Sequence, residues 1–128
     1  MARVAIVTGG TRGIGEAISV ALKELGMSVA ANYAGNDQRA AEFTDRTGIK
    51  AFKWDVADYD ACQQGVADVE AALGPVDVVV NNAGITRDGT ILKMTYQMWK
   101  EVMDTNLGGC FNMAKATFPG MRERKWGG

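Results

Sequence analysis

Short runs of β-branched residues alternate with helical patterns along the chain, and each run ends at a polar or glycine-rich turn. Four such runs predict strands, at residues 3–7, 28–32, 51–54 and 76–81. The runs are apolar on both faces, which is typical of a parallel sheet that helices cover on both sides. The pattern therefore predicts an α/β fold, a doubly wound parallel sheet of about four strands with flanking helices.

Helical periodicity occupies the segments between the first three strands. After the first strand, apolar residues recur at the spacing of one helix face and predict a helix that ends at Gly26. The residues of that face are Ile14, Ala17, Ile18, Ala21, Leu22 and Leu25. Residues 37–47 predict a second helix, which Gly48 ends.

Two more helices complete the pattern. Asp58 is a candidate N-cap for a third helix, which ends at residues 74–75. A longer helical stretch runs from the N-cap Thr95 to about Phe118, and the glycine pair at 108–109 loosens it near its middle. No internal repeat or linker divides the sequence, so we predict one unit over residues 1–128.

Composition and charge exclude several functions. The chain has 128 residues, of which 47% are hydrophobic and 23% are charged, as in an average globular domain. The 14 Lys and Arg residues balance 15 Asp and Glu residues, so no basic field attracts nucleic acid or anionic lipid. No run approaches the roughly 18 apolar residues of a membrane-spanning helix, and no signal-peptide pattern is present. We therefore expect a cytoplasmic protein without a nucleic-acid or membrane partner.

The sequence also argues against metal chemistry. It contains no His, which is the commonest metal ligand and general base. Its two cysteines, Cys62 and Cys110, are too far apart in sequence for a zinc motif. Both are interpreted as small buried hydrophobic residues in a protein of a reducing compartment, and we expect no metal site.

A glycine-rich turn joins the first strand to the first helix. Gly9, Gly13 and Gly15 have the spacing Gly-x-x-x-Gly-x-Gly. A helix N-terminus offers unpaired N–H groups to a pyrophosphate, and glycines let the backbone approach it closely. Because no Gly-Lys-Ser/Thr follows, a nucleoside-triphosphate loop is disfavoured. The turn predicts a dinucleotide in a Rossmann-like fold, and the alternative is a plain flexible turn.

The charges around the second strand favour NADP(H) over NAD(H). An NAD site usually has an acidic residue at the end of this strand, and residues 31–36 contain none. Arg12 in the glycine turn and Arg39 beyond the strand are placed to reach a 2′-phosphate. Asp37 comes later, at a helix N-terminus. The alternative is that both arginines are solvated residues at helix ends.

Polar residues also follow the third and fourth strands, at the sheet edge where ligands bind in open α/β sheets. Asp55 is followed by Val56, and its carboxylate can accept from an adenine amino group or cap a turn. Asn81, Asn82, Ala83 and Gly84 end the fourth strand, where small residues allow a cofactor to pass and amides hold neighbouring loops.

These motifs, in this order, resemble those of the short-chain dehydrogenase/reductase family over all 128 residues. The resemblance rests on residues 8–15, 55, 81–84 and 104–107. Residues 32–37, 53–56, 84–88 and 111–113 further resemble the branch of the family that reduces acetoacetyl-CoA in polyhydroxybutyrate synthesis. The branch that reduces 3-oxoacyl thioesters of acyl carrier protein shares residues 84–88.

The resemblance implies an oxidoreductase, a homotetramer that uses NADPH to reduce acetoacetyl-CoA, an acyl-CoA thioester, to (R)-3-hydroxybutyryl-CoA. The implied coenzyme contacts are Gly9, Thr11, Arg12, Gly13, Ile14, Gly15, Arg39, Asp55, Val56, Asn82, Ala83, Gly84 and Ile85. Asn106 corresponds to the Asn of the family's catalytic Asn-Ser-Tyr-Lys tetrad, where it orders a water in the proton relay. Asp88 is a candidate substrate contact.

The other three tetrad residues follow a fifth strand in the family, and the 128 residues end before that point. We therefore expect this stretch to be inactive alone. Tyr96 and Lys100 have the family's Tyr-x-x-x-Lys spacing, but they precede Asn106 at the start of a helix and are not assigned to catalysis. Two alternatives stay open: reduction of the acyl-carrier-protein thioester, and a nucleotide-binding module without catalysis.

Overall fold

The four predicted strands form one parallel sheet in the computed structural model, which describes residues 2–128. The strands are β1 (Val4–Val7), β2 (Ser28–Tyr33), β3 (Lys50–Lys53) and β4 (Val76–Val80), in the order β3-β2-β1-β4. β2 and β3 thus lie on one side of β1, and β4 lies on its other side. That reversal opens a crevice beyond the carboxyl ends of β1 and β4.

Helices cover both faces of the sheet. They are α1 (Gly13–Glu24), α2 (Asp37–Thr47), α3 (Tyr59–Leu73), α4 (Tyr96–Met103) and α5 (Gly109–Arg124). α1 and α2 pack on one face, whereas α3 and α5 pack on the other and against each other. The predicted doubly wound, Rossmann-like architecture is therefore confirmed. Each strand bound differs from its predicted position by no more than one residue.

Two apolar cores lie on opposite faces of the sheet because neighbouring residues of a strand point to opposite sides. Ile6 of β1 contributes to the α3/α5 core, while Val7 contributes to the α1/α2 core. The first core also contains the buried residues Val4, Ala30, Trp54, Val56, Cys62, Val66, Val69, Val76 and Met113. The second contains Val29, Ala31, Phe43 and Ile49.

The predicted buried face of α1 is partly wrong. Ile14 and Leu25 are 75% and 76% exposed, whereas the fully buried residues of the helix are Gly15 and Ser19. The Ser19 hydroxyl donates to the main-chain oxygen of Gly10 at 3.0 Å. α1 thus meets the glycine turn through Gly15 and Ser19, while Ile18 and Leu22 of the predicted face are half-buried against the α1/α2 core.

The long helical stretch differs from its prediction at two places. Between α4 and α5, residues 104–108 form a π-helical turn, where the sequence predicts only a loosening at the glycine pair. α5 then continues past Pro119 to Arg124, beyond the predicted end at Phe118. The Arg124 guanidinium donates to the main-chain oxygen of Val76 at 2.5 Å, and this contact holds the last turn against β4. Within residues 2–128, no helix is long and apolar enough to cross a membrane.

Candidate functional site

A cleft of about 920 Å³ opens at the carboxyl edge of the sheet. Every residue that the sequence assigns to coenzyme contacts lines this cleft. They come from the glycine turn, the start of α1, the ends of β3 and β4, and α2. Segments that are distant in the sequence thus meet at the edge where the strand order reverses, as the sequence predicts for a ligand site.

The N-terminus of α1 faces this cleft without a side-chain cap. Asn36, Asp58 and Thr95 each accept from a backbone N–H of the helix that they precede, but Arg12 makes no such contact at α1. Gly13 has φ +54° and open space where a side chain would stand. The first turn of α1 therefore presents its backbone donors and its positive dipole end to an anionic ligand.

Gly15 serves a different purpose from Gly13. A Cβ at this position would collide with the main-chain oxygen of Gly9 and lie 2.6 Å from Nδ2 of Asn82. α1 can therefore begin directly against the end of β4 only because Gly15 carries no side chain.

Hydrogen bonds join the segments that follow β1 and β4 at the cleft. Oγ1 of Thr8 accepts from the backbone N–H groups of Asn82 and Ala83, both at 2.9 Å. In return, Nδ2 of Asn82 donates to the main-chain oxygens of Thr8 and Gly9, both at 3.1 Å. Thr8 is 2% exposed. The sequence interpretation did not include it among the site residues, although its place beside the first glycine is a usable signal.

Asn32 is a second site residue that the sequence interpretation missed. It is 1% exposed, and its Oδ1 accepts from the backbone N–H of Gly9 at 3.2 Å. Its Nδ2 donates to the main-chain oxygen of Trp54 at 2.9 Å. Asn32 therefore joins the glycine turn to the end of β3. A lone amide in an otherwise apolar strand is the sequence signal for this role, since buried polar groups need partners.

Asp55 caps its own turn and also lines the cleft. Its Oδ1 accepts from the backbone N–H of Ala57 at 2.9 Å, which confirms the turn-capping alternative for that oxygen. The residue is exposed, and a carboxylate has further acceptor positions. Next to it, Val56 is buried, and its main-chain oxygen accepts from Nδ2 of Asn112 at 2.8 Å.

Two arginines are part of the cleft lining. Arg12 and Arg39 are exposed, and within residues 2–128 neither guanidinium has a hydrogen-bond or ion-pair partner. Asp37 lies nearby, where hydrogen bonds from Lys53 and then Tyr33 lower the pKa of its carboxyl group. Desolvation and the bond to Asp37 raise the pKa of the Tyr33 hydroxyl, so Tyr33 stays a neutral donor near pH 7.

Asn106 is held by the loop that follows β4. Its Oδ1 accepts from the backbone N–H of Ile85 at 2.8 Å, and its Nδ2 donates to the main-chain oxygen of Ile85 at 3.0 Å. The residue lies in the π-helical turn, whose Asp104 and Thr105 line the cleft. Asn106 itself and the exposed Asp88 are not part of that lining.

Neither residue of the Tyr-x-x-x-Lys pair at the start of α4 is part of the cleft lining. Tyr96 is the first residue of α4 and is 72% exposed. Nζ of Lys100 pairs with Oδ2 of Asp104 at 2.5 Å, and this contact raises the pKa of the lysine. Because Asp104 lines the cleft, this ion pair places Lys100 next to the lining without making it part of the lining.

The two cysteines differ in their surroundings. Cys62 is buried in the α3/α5 core, and desolvation raises the pKa of its thiol to about 11, so it is not a thiolate nucleophile at neutral pH. Cys110 is partly exposed, and neither cysteine forms a disulfide. In the described part of the chain, no group of three or more His, Cys, Asp or Glu side chains is arranged to hold a metal ion.

Comparison with known proteins agrees with this geometry. Residues 3–128 match the family model described as short chain dehydrogenase. An acetoacetyl-CoA reductase from Paracoccus denitrificans is 65% identical over 127 residues, which are 99% of this chain and 52% of that protein. A 3-oxoacyl-acyl-carrier-protein reductase from Staphylococcus aureus is 40% identical over 132 residues, covering 99% of this chain and 54% of that protein.

A solved structure is also similar. A mutant short-chain dehydrogenase/reductase from Serratia marcescens superposes with a TM-score of 0.86 at 31% sequence identity. The match covers 91% of this chain and 50% of that one. The chain therefore spans about half the length of the curated relatives that it matches.

The hydrogen bonds of Thr8 lead to a stability prediction. We expect Thr8→Val to lower the free energy of unfolding by about 1–3 kcal/mol, because it removes the acceptor of two backbone N–H groups without changing the side-chain shape. Urea unfolding of the full-length protein measures the change. The matched control Thr90→Val alters an exposed threonine and should stay within about 0.5 kcal/mol of the unmodified protein. Equal losses for both variants would contradict the role of Thr8.

Proposed function

This chain belongs to the short-chain dehydrogenase family, and from this we propose that the full-length protein is an NADPH-dependent reductase of 3-ketoacyl thioesters. The proposed reaction converts acetoacetyl-CoA to (R)-3-hydroxybutyryl-CoA, as in polyhydroxybutyrate synthesis. The observation that carries this proposal is the similarity of nearly the whole chain to an acetoacetyl-CoA reductase. The reaction is one of the full-length protein, since this chain spans about half the length of that relative.

The cleft residues suit a phosphorylated dinucleotide. The uncapped N-terminus of α1 suits the pyrophosphate, and the free guanidinium groups of Arg12 and Arg39 suit a 2′-phosphate. We assign the adenine to Asp55 and Val56, and the nicotinamide ribose to residues 82–85. When bound, NADPH supplies the hydride for reduction of the 3-keto carbon.

Asn106 contributes to this chemistry through its position. Both polar atoms of its side chain are used by Ile85, so the side chain holds the loop after β4 beside the cleft. From the resemblance to the family, we assign the ordering of a water in the proton relay to Asn106. The Ser, Tyr and Lys of the tetrad are expected from the rest of the full-length protein, and Asp88 is proposed to contact the substrate.

Turnover of two thioesters tests the function. We expect the full-length protein to oxidise NADPH with acetoacetyl-CoA at a higher kcat/KM than with acetoacetyl-acyl-carrier protein. A higher value for the carrier-protein substrate would favour the 3-oxoacyl reductase alternative, which the more distant Staphylococcus aureus relative represents. Binding of NADPH without reduction of either thioester would instead show a nucleotide-binding module.

The arginines lead to a prediction on coenzyme choice. We expect Arg39→Met to raise the Kd of NADPH about tenfold, because it removes a charge-assisted contact to the 2′-phosphate, and to leave the Kd of NADH within about twofold. Fluorescence titration of both coenzymes measures the two constants. The control Arg122→Met removes an exposed guanidinium in the last turn of α5, away from the cleft lining. If Arg122→Met weakened NADPH as much, a general loss of charge would explain the result.

We also propose that the full-length protein is a homotetramer. α4 and α5 carry large apolar side chains that stay exposed along one helical stretch, and monomers rarely expose such a row. The residues are Tyr96, Trp99, Leu107, Phe111 and Phe118. A second copy of the chain is the proposed cover, because most soluble oligomers are symmetric assemblies of identical chains.

Sedimentation velocity tests this interface. We expect Leu107→Asp combined with Phe111→Asp to shift the full-length tetramer to smaller species, because two carboxylates would be buried at the contact. The control Ile91→Asp, at a residue that is 84% exposed in the loop before α4, should leave the tetramer intact. An unchanged tetramer in the double variant would place the interface elsewhere.

We place the reaction in the cytoplasm, with an acyl-CoA thioester as the partner and without nucleic acid or membrane. The two unpaired cysteines and the balanced charge of the chain support this location. Cell fractionation with an antibody to the full-length protein tests it, and recovery in the membrane or nucleic-acid fraction would contradict it.

A further inference from the structure

A carboxylate begins the helix that carries Arg39, one of the arginines that we assign to the 2′-phosphate, and two neighbouring side chains hold it. Asp37 is the first residue of α2, two positions before Arg39. Its Oδ1 accepts from the Tyr33 hydroxyl at 3.1 Å. Nζ of Lys53 lies 3.1 Å from Oδ1 and 3.2 Å from Oδ2 of the same carboxylate. Both oxygens of Asp37 therefore have a partner.

A free carboxylate at this place would oppose NADPH. It follows β2 by four residues, and in NAD sites an acidic side chain at the end of this strand accepts from the ribose hydroxyls. Its negative charge would also repel a 2′-phosphate that Arg39 attracts. Yet Asp37 is not part of the cleft lining, whereas the residue before it, Asn36, and Arg39 are. Asp37 thus lies outside the cleft lining, where Tyr33 and Lys53 contact its carboxylate.

We propose that Lys53 is a specificity-determining residue that favours NADPH by neutralising and holding Asp37. The inference rests on the proposed function and adds to it a residue outside the cleft. Lys53 ends β3, the outermost strand of the sheet on that side. It lies outside the cleft lining, and Asp37 is its side-chain partner. Lys53 is therefore a positioning residue, and its effect on the coenzyme passes through Asp37.

The expected effect is moderate because the pair is exposed. The side chains of Lys53 and Asp37 are 51% and 68% exposed, so the pair adds little to folding stability. Coenzyme binding is more sensitive, because charges within about 8 Å of each other are not fully screened at physiological ionic strength. Loss of the Lys53 charge leaves Asp37 unbalanced in the helix turn that carries Arg39, and we expect this to weaken a coenzyme with a 2′-phosphate but not one without it.

A double-mutant cycle on the full-length protein tests the inference. The Kd values of NADPH and NADH are measured by fluorescence titration at low ionic strength for Lys53→Met, Asp37→Asn and the double variant. We expect Lys53→Met to raise the Kd of NADPH about threefold to tenfold and to leave the Kd of NADH unchanged or lower. Asp37→Asn alone should change the Kd of NADPH by less than about twofold.

The double variant decides between two roles of Lys53. If Lys53 acts through Asp37, Asp37→Asn in the Lys53→Met background restores the Kd of NADPH to within about twofold of the unmodified protein. If the Kd of NADPH stays raised in the double variant, Lys53 contacts the phosphate directly and the inference is wrong. The matched control Lys50→Met removes the same charge at the other end of β3 and should leave both constants unchanged.

Two further outcomes separate this inference from the proposed function. An equal loss of NADPH and NADH affinity in Lys53→Met would indicate a structural role and overturn the inference, while the NADPH preference of the unmodified protein still stands. Equal affinity of the unmodified protein for both coenzymes would contradict the proposed coenzyme and the inference together. Far-UV circular dichroism of each variant reports that the fold is retained.

Discussion

The architecture of the site depends on the hydrogen bonds that join the end of β1 to the end of β4. Beyond the last residue of each strand, the backbone N–H and C=O groups lose their partners in the sheet, and buried groups of this kind are costly to leave unpaired. Thr8 and Asn82, which are 74 residues apart, supply those partners to each other's loops. The close approach of Gly15 then seats the first turn of α1 on this junction. The position of the pyrophosphate site relative to the rest of the cleft follows from these contacts.

Asparagine side chains hold the backbone at three places around the cleft. Asn32, Asn82 and Asn106 each use an amide side chain to bind the backbone of a segment distant in sequence. An amide carries both donor and acceptor, so it can replace the missing sheet partners of a loop without adding charge. Within residues 2–128, the guanidinium groups of Arg12 and Arg39 have no hydrogen-bond or ion-pair partner, whereas the other charged residues of the lining, Asp55, Arg87, Glu101 and Asp104, have partners in the protein. The two arginines are therefore the charged groups of the lining that are most open to a ligand, while both polar atoms of the buried Asn32 amide have partners.

Much of the fold could be predicted from the sequence because its determinants are local. Apolar runs and helix stops specify the four strands and most helix bounds, and the resemblance to the family identified residues that the structure brings to one cleft. The errors arise where distant contacts override local pattern. Ile14 and Leu25 fit the apolar face of α1 but stay exposed, whereas Ser19 is buried where its hydroxyl bonds to the glycine turn. The π-helical turn at residues 104–108 accompanies the attachment of Asn106 to Ile85, which no helical periodicity encodes.

The sequence by itself determined the order of strands and helices, the glycine turn and the residue types at each strand end, because these depend on neighbours within a few positions. Only the tertiary structure decided which of those side chains have partners. Thr8 and Asn32 become site residues through bonds to segments more than 20 residues away, and Asp37 becomes the partner of Lys53. The sequence specifies which side chains carry a charge. How strongly that charge acts on a ligand depends on what the folded chain places within hydrogen-bond distance of it, because a neighbouring opposite charge offsets it and a neighbouring donor fixes its direction.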